Sequence, residues 1–371
     1  MEIAQNSIII DTHIDVPFRL YGGWEDVSEA TEDGNFDYPR AVAGGLNAPF
    51  MSIYTPAELE GEGRSKEVAE QLIDIVERIV HESPDKFALA HSPADIEANF
   101  QKGLISLPMG MENGSPIEGD LANVQHFFDR GIRYITLAHA LSNHIADSSY
   151  DENKHWGGLS DFGIEVVKEM NRVGIMVDIS HVSDEAFWDV MEVASAPAIA
   201  SHSSARYFTP GWERNMSDDM IVRLAENGGV IMINFGSSFL TKAAQDYSNA
   251  QRAAAAAYRE EHGLADEDED AMKAFNAAYE AEHGPFPYAT LDETLDHFDH
   301  VRDLVGVDHV GIGSDFDGVG DSLPIGLKDV SRYPNLVGGL LGRGYSEADV
   351  RKILGENLLR VWREVEAAAE S

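Results

Sequence analysis

Residues 174–204 read Gly-Ile-Met-Val-Asp-Ile-Ser-His-Val-Ser-Asp-Glu-Ala-Phe-Trp-Asp-Val-Met-Glu-Val-Ala-Ser-Ala-Pro-Ala-Ile-Ala-Ser-His-Ser-Ser. An apolar, β-branched run from Gly174 to Ser180 ends on His181, a helical pattern follows from Asp184 to Ala194, and a second apolar run, Pro197 to Ser201, ends on His202. Two such runs joined by one amphipathic stretch are a βα step on a parallel sheet. The pattern Ser-His-x-Ser stands at 180–183 and again at 201–204, so the step repeats its chemistry as well as its shape.

The same alternation extends in both directions. Strand-like runs stand at Ser7 to Ile14, Ala48 to Tyr54, Gly103 to Met109, Arg133 to Ala138, Gly174 to Ser180, Pro197 to Ser201, Gly229 to Phe235 and His309 to Gly313. Helical patterns at Lys66 to His81, Leu121 to Asp129, Phe162 to Val173, Asp184 to Ala194, Asp218 to Asn227 and Leu291 to Val305 lie between several of them. Eight βα units predict an α/β fold closed as a (β/α)8, TIM-like barrel, although an open doubly wound sheet with an extra domain shares the pattern. The polar residues favour the barrel, because His13, Asp15, Glu112, His139, His181, His202 and Asp315 each sit at the C-terminal end of an apolar run. A barrel turns all those ends to one mouth, where active sites are built.

Composition narrows the chemistry. The 371 residues include 14 His and no Cys, and 65 Asp plus Glu against 27 Lys plus Arg give a net charge of -38. Disulfides, iron–sulfur clusters and thiol nucleophiles are excluded, so any metal rests on His, Asp or Glu. So negative a chain repels phosphate backbones and anionic lipid, which argues against nucleic-acid and membrane partners. The opening Met-Glu-Ile-Ala-Gln-Asn lacks a basic and apolar leader, and no run approaches the length of a membrane span, so a cytoplasmic protein is expected.

His13 and Asp15 are spaced i, i+2, so on a strand both point to one face and can share a metal. Each element alone also has a plain structural reading: a polar strand end for His-x-Asp, a helix cap for Glu112, a satisfied core histidine for His139. Taken together, His13, Asp15, Glu112, His181 and His202 are five donors suited to zinc and too many for one open tetrahedral site. Two ions sharing one carboxylate would use all five, and such a pair can hold a hydroxide. No His-Glu-x-x-His stands on a helix, so a zincin-type protease is not supported.

At this point the chain resembles the renal or membrane dipeptidase family, the binuclear zinc dipeptidases of the amidohydrolase superfamily. The likeness runs through Asp11-Thr12-His13-Ile14-Asp15, Tyr38-Pro39-Arg40, Ala43-Gly44-Gly45, Glu112-Asn113-Gly114, Leu137-Ala138-His139 and Gly158 to Gly163. It continues through Asn171-Arg172, Val177 to His181, Ser201 to Arg206, Arg214-Asn215, Gly311 to Gly318 and Glu356 to Arg360. The resemblance implies one barrel domain over 1–371 and hydrolysis of L-Xaa-L-Xaa or L-Xaa-D-Xaa dipeptides. It implies that His13 and Asp15 hold one zinc, that His181 and His202 hold the other, and that Glu112 and a water or hydroxide bridge them. His139 would stabilise the oxyanion, Arg214 would bind the substrate carboxylate, and Asp315 would move the proton. Asp317 has the same strand parity as Asp315, and the family pattern selects Asp315. The partner so implied is a small dipeptide, with a homo-oligomer left open.

Three departures stand out. The cysteines that link animal members are absent, Phe239 stands where some members carry a Tyr, and residues 236–290 form a longer, Ala-rich and acidic helical insertion after the seventh strand. Its acidic run, Asp266 to Asp270, reads as a solvated turn, or as a lid or subunit contact at the mouth. Two other functions stay open: an amidohydrolase for N-acyl amino acids, lactones or other amides, and a non-catalytic metal-binding scaffold.

Overall fold

The computed structural model describes residues 2–264 and 268–369. Ten strands occur in it: β1 Ile9–Ile14, β2 Leu46–Tyr54, β3 Phe87–Leu89, β4 Ile105–Leu107, β5 Met109–Glu112, β6 Ile132–Thr136, β7 Met176–Asp178, β8 Ile199–Ala200, β9 Val230–Ile233 and β10 Val310–Ile312. Eight of them form one sheet in the order β1-β2-β5-β6-β7-β8-β9-β10, with every neighbouring pair parallel. The sheet returns on itself just past the last strand. Asp315 N donates to His13 O at 3.1 Å and Asp15 N to Phe316 O at 2.9 Å, and Ile14 pairs in parallel with Phe316. The fold is therefore the (β/α)8 barrel that the alternation predicts.

One strand differs from the reading. The run Gly103 to Met109 splits at Pro108, which has no N–H to donate to a ladder. Its first half, β4, pairs with β3 in a separate two-stranded sheet, and the barrel's third strand is β5 instead. The displacement matters for chemistry, because it makes Glu112 the last residue of a barrel strand.

Barrel strands β1, β6 and β9 are buried along their whole length, as parallel strands covered by helices must be. Helix Ser65–Glu82 turns Val68, Leu72, Ile73, Val76 and Ile79 inward, which is the i, i+3/i+4 stripe its sequence spells. A second cluster fills the barrel itself, where Phe50 lies 5.5 Å from Tyr134 and 5.4 Å from Trp362 of helix Asn357–Ala368. Serines start several helices: Ser160, Ser183 and Ser217 each accept a backbone N–H three residues on. Ser183, the last residue of the first Ser-His-x-Ser, is thus a helix cap. In the second copy, Ser204 Oγ donates to Asn234 O instead.

The insertion after β9 contains helices Lys242–His262 and Glu269–His283. Asp266 and Glu267 of the acidic run lie outside the described residues. Among the described residues, no helix is long and apolar enough to cross a membrane.

Candidate metal centre

The C-terminal strand ends gather seven side chains from distant parts of the chain. Glu112 stands at their centre: its Oε1 lies 3.3 Å from His139 Nε2, 3.2 Å from His181 Nε2 and 3.3 Å from His202 Nε2, and its Oε2 lies 3.3 Å from His13 Nε2. Asp15 Oδ2 lies 3.5 Å from His13 Nε2, and the Nε2 atoms of His181 and His202 are 2.8 Å apart. Two donors on one tetrahedral zinc, at its usual bond lengths, stand about 3.3 Å apart. Three triads converge closely enough to share an ion: His13, Glu112 and His202; Glu112, His139 and His181; and His13, Asp15 and Asp315.

Two of the four imidazoles, those of His13 and His202, are oriented from behind, whereas the Nδ1 atoms of His139 and His181 have no hydrogen-bond partner among the described residues. Tyr134 donates its hydroxyl proton to Thr12 O at 2.9 Å, so its oxygen accepts from His13 Nδ1, also at 2.9 Å. Ser201 Oγ likewise donates to Asp178 Oδ2 at 2.6 Å and accepts from His202 Nδ1 at 2.7 Å. In both cases Nδ1 donates its proton and Nε2 is turned toward Glu112, the orientation in which a metal ion, displacing any proton there, would be bound. Asp178 is fully buried and anchored by the amides of Ser180 and Ser201.

Charge in the site is unbalanced without a cation. Asp15, Glu112 and Asp315 are all buried, and among the described residues none of them pairs with Arg or Lys. Burial of unpaired carboxylates is strongly unfavourable. Burial and then the charge of Arg214 press His181 far below its usual range, and burial with His13 and Arg214 does the same to His202, so both are neutral imidazoles. Burial opposes a charge on His13, yet Tyr134, Glu112 and Asp15 hold its pKa well above normal. Glu112, although buried, is held well below the carboxylate range by His13 and His139. Buried His13 Nε2 and Asp15 Oδ1 have no hydrogen-bond partner. These orphaned donors and the uncompensated carboxylates fit a divalent metal centre.

The strand ends are strained to deliver these groups. His181 and Asp315 adopt left-handed φ of 68° and 64°, as does Asn113, at 79°, immediately after Glu112. Non-glycine residues hold such angles only where the surroundings enforce them, and they cluster at functional sites. Gly318 is required by contact: a Cβ there would stand 2.2 Å from Asp15 Oδ2 and 2.3 Å from Asp315 Oδ1.

A cavity of about 860 Å³ opens above, lined among others by Glu112, His139, His181, Asp315, Tyr150 and Phe239. Burial, reinforced by Asp15 and Glu112 against the charge of His13, pushes Asp315 up to about 7, and Asn234 Nδ2 donates to its Oδ2 at 2.7 Å. Arg214 is buried beside the site, donating from Nη1 to Ser203 Oγ at 2.7 Å and from Nη2 to His202 O at 2.8 Å, with its Nε unpartnered. Asp317, the rival of Asp315, turns instead to Arg19 at 3.2 Å and to Asn35 N. His13, Asp15, Glu112, His139, His181, His202 and Asp315 therefore meet here with Arg214 beside them, whereas the sequence pattern assigns no role to Tyr134, Asp178, Ser201 and Asn234.

A parallel barrel with histidines and carboxylates converging at its C-terminal mouth defines a metal-dependent hydrolase. The chain matches the membrane dipeptidase family (peptidase family M19) over residues 1–371 and belongs to it. It is similar to dipeptidase tcpJ of Claviceps purpurea, 36% identical over 94% of this chain and 73% of the relative, and to dipeptidase aclJ of Aspergillus oryzae, 36% identical over 91% and 72%. The crystal structure of the probable dipeptidase PvdM from Pseudomonas aeruginosa superposes with a TM-score of 0.85 at 28% identity, covering 99% of this chain and 98% of that one. The chain is accordingly a metal-dependent dipeptidase.

Proposed function

We propose that the enzyme hydrolyses L-Xaa-L-Xaa or L-Xaa-D-Xaa dipeptides at a centre of two zinc ions held by His13, Asp15, Glu112, His181 and His202, with Glu112 shared. The observation that carries this reading is Glu112, whose two oxygens meet four imidazole nitrogens at 3.2–3.3 Å while no Arg or Lys among the described residues pairs with the buried acids. When bound, the ions supply Lewis acidity, which lowers the pKa of a water and polarises the scissile carbonyl.

Asp315 accepts the proton of the attacking water and returns it to the leaving amine. Asp315 lines the cavity, and Asn234 Nδ2 fixes one carboxylate oxygen while the other is left to exchange the proton. His139 reaches the cavity and stabilises the oxyanion as it develops. The buried, unpartnered Nε of Arg214 supports a role in binding the substrate's terminal carboxylate, for which a guanidinium is well shaped.

Chelation should abolish dipeptide hydrolysis and zinc should restore it. Asp315→Asn is expected to lower kcat by about a hundredfold or more, the usual share of a general base, with metal content retained. Loss of metal in that variant would make Asp315 a ligand and overturn its assigned role. A substrate panel that favours N-acetyl amino acids over dipeptides would overturn the substrate class.

A further inference from the structure

The insertion reaches into the cavity. Ser238, Phe239, Ser248 and Arg252 line it together with Glu112, His181 and Asp315, and Arg252 is the one Arg or Lys among those lining residues. Ser248 and Arg252 are four residues apart on helix Lys242–His262, so they share a face. Ser248 Oγ bonds Ser238 Oγ at 2.9 Å, which fastens that face to the segment following β9.

Arg252 is unpartnered in a chain rich in acids. Positions 248, 249, 255 and 256 are Ser, Asn, Ala and Ala, so its own helix offers no carboxylate at i±3 or i±4. Lys242 on the same helix does pair, with Asp246 at 2.7 Å. Among the described residues no hydrogen bond or ion pair reaches Arg252. Arg252 and Tyr150 both line the cavity; burial raises the Tyr150 phenol, and Arg214 and Arg252 both oppose that rise, so Tyr150 lies within the field of the two cations. Arg214 also sits 5.1 Å over the ring of Phe239, another lining residue.

We infer that Arg252 is a specificity-determining residue that selects dipeptides whose C-terminal residue carries an anionic side chain. The inference rests on the dipeptidase reading, in which Arg214 takes the terminal carboxylate. A side chain leaving the same residue toward the mouth then meets the second guanidinium, whose fork matches a carboxylate. Because Arg252 is exposed, the selection weakens as salt is raised.

The test uses the zinc-loaded enzyme and the pair Ala-Glu and Ala-Gln, nearly equal in volume and different in charge, with L and D C-terminal residues. The native enzyme should favour Ala-Glu in kcat/KM by about tenfold. Arg252→Gln should erase that ratio, Arg252→Lys, which keeps the charge and loses the fork, should keep only part of it, and Arg252→Glu should invert it. Equal kcat/KM for the two substrates in the native enzyme, or a ratio that Arg252→Gln leaves unmoved, would overturn the inference while leaving the dipeptidase reading intact. If neither these nor any other dipeptide is hydrolysed, the reading falls first and the inference with it.

Discussion

Two of the proposed ligands are oriented by the group behind them. His13 and His202 present Nε2 because Tyr134 and Ser201 occupy Nδ1, and Ser201 does so because Asp178 holds its hydroxyl proton. Tyr134→Phe and Ser201→Ala should each weaken metal binding by about ten- to a hundredfold in a competitive chelator titration, with the far-UV spectrum unchanged; native affinity in both would refute the orienting role. His297 illustrates a different buried histidine, one that accepts from Ala205 N at 3.1 Å and donates from Nε2 to Leu240 O at 3.0 Å. Burial lowers its pKa to about 4, from an ordinary 6.5. The unfolded chain therefore binds the proton first, and this residue's contribution, at most about 3 kcal/mol, is present above pH 6.5 and lost as pH falls toward 4. His297→Gln should flatten the fall in Tm over that window, and a parallel pair of curves would count against the assignment. The ligands were legible in the sequence because each closes an apolar run. Asp178 and Tyr134 were not, since a Tyr or Asp inside a strand looks the same whether it orients a ligand or merely fills the barrel.

At the scale of elements, the strand ends and the turns after them carry the precision of the site. Gly318 admits both Asp15 and Asp315, and a methyl group there would displace one or both carboxylates. Gly318→Ala should therefore reduce kcat by about a hundredfold, the usual effect of a misplacement near 1 Å, while Tm moves little. A large drop in Tm at native kcat would make the glycine structural. The helix Leu291–Val305 that follows the insertion begins with a full capping box, Thr290 accepting from Glu293 N and Glu293 bonding back. Thr290→Ala should cost about 1 kcal/mol in urea unfolding, with kcat unaffected. Element order and the βα rhythm could be read from periodicity alone. The third strand could not, because Pro108 divides one continuous apolar run between two sheets, and the pairing that separates them is set by contacts with β2 and β3 far along the chain.

For the whole molecule, the net charge of -38 and the absence of cysteine belong together with the centre. The proposed metal site is built wholly from His, Asp and Glu, and among the described residues no Lys or Arg pairs with its three buried carboxylates. On the proposed reading divalent cations would offset that charge, which links metal binding to folding stability. Zinc at a hundred times its dissociation constant should stabilise the protein by about 2.7 kcal/mol per independent site, seen as a concentration-dependent rise in Tm. The most direct test of the account combines metal count and catalysis in one titration: zinc is added to verified metal-free protein, and L-Ala-L-Ala hydrolysis is followed against equivalents bound per chain. The account predicts no turnover in the absence of metal and a plateau at two equivalents. Full turnover in the metal-free protein, or a chain that binds two equivalents and cleaves no dipeptide, would contradict it.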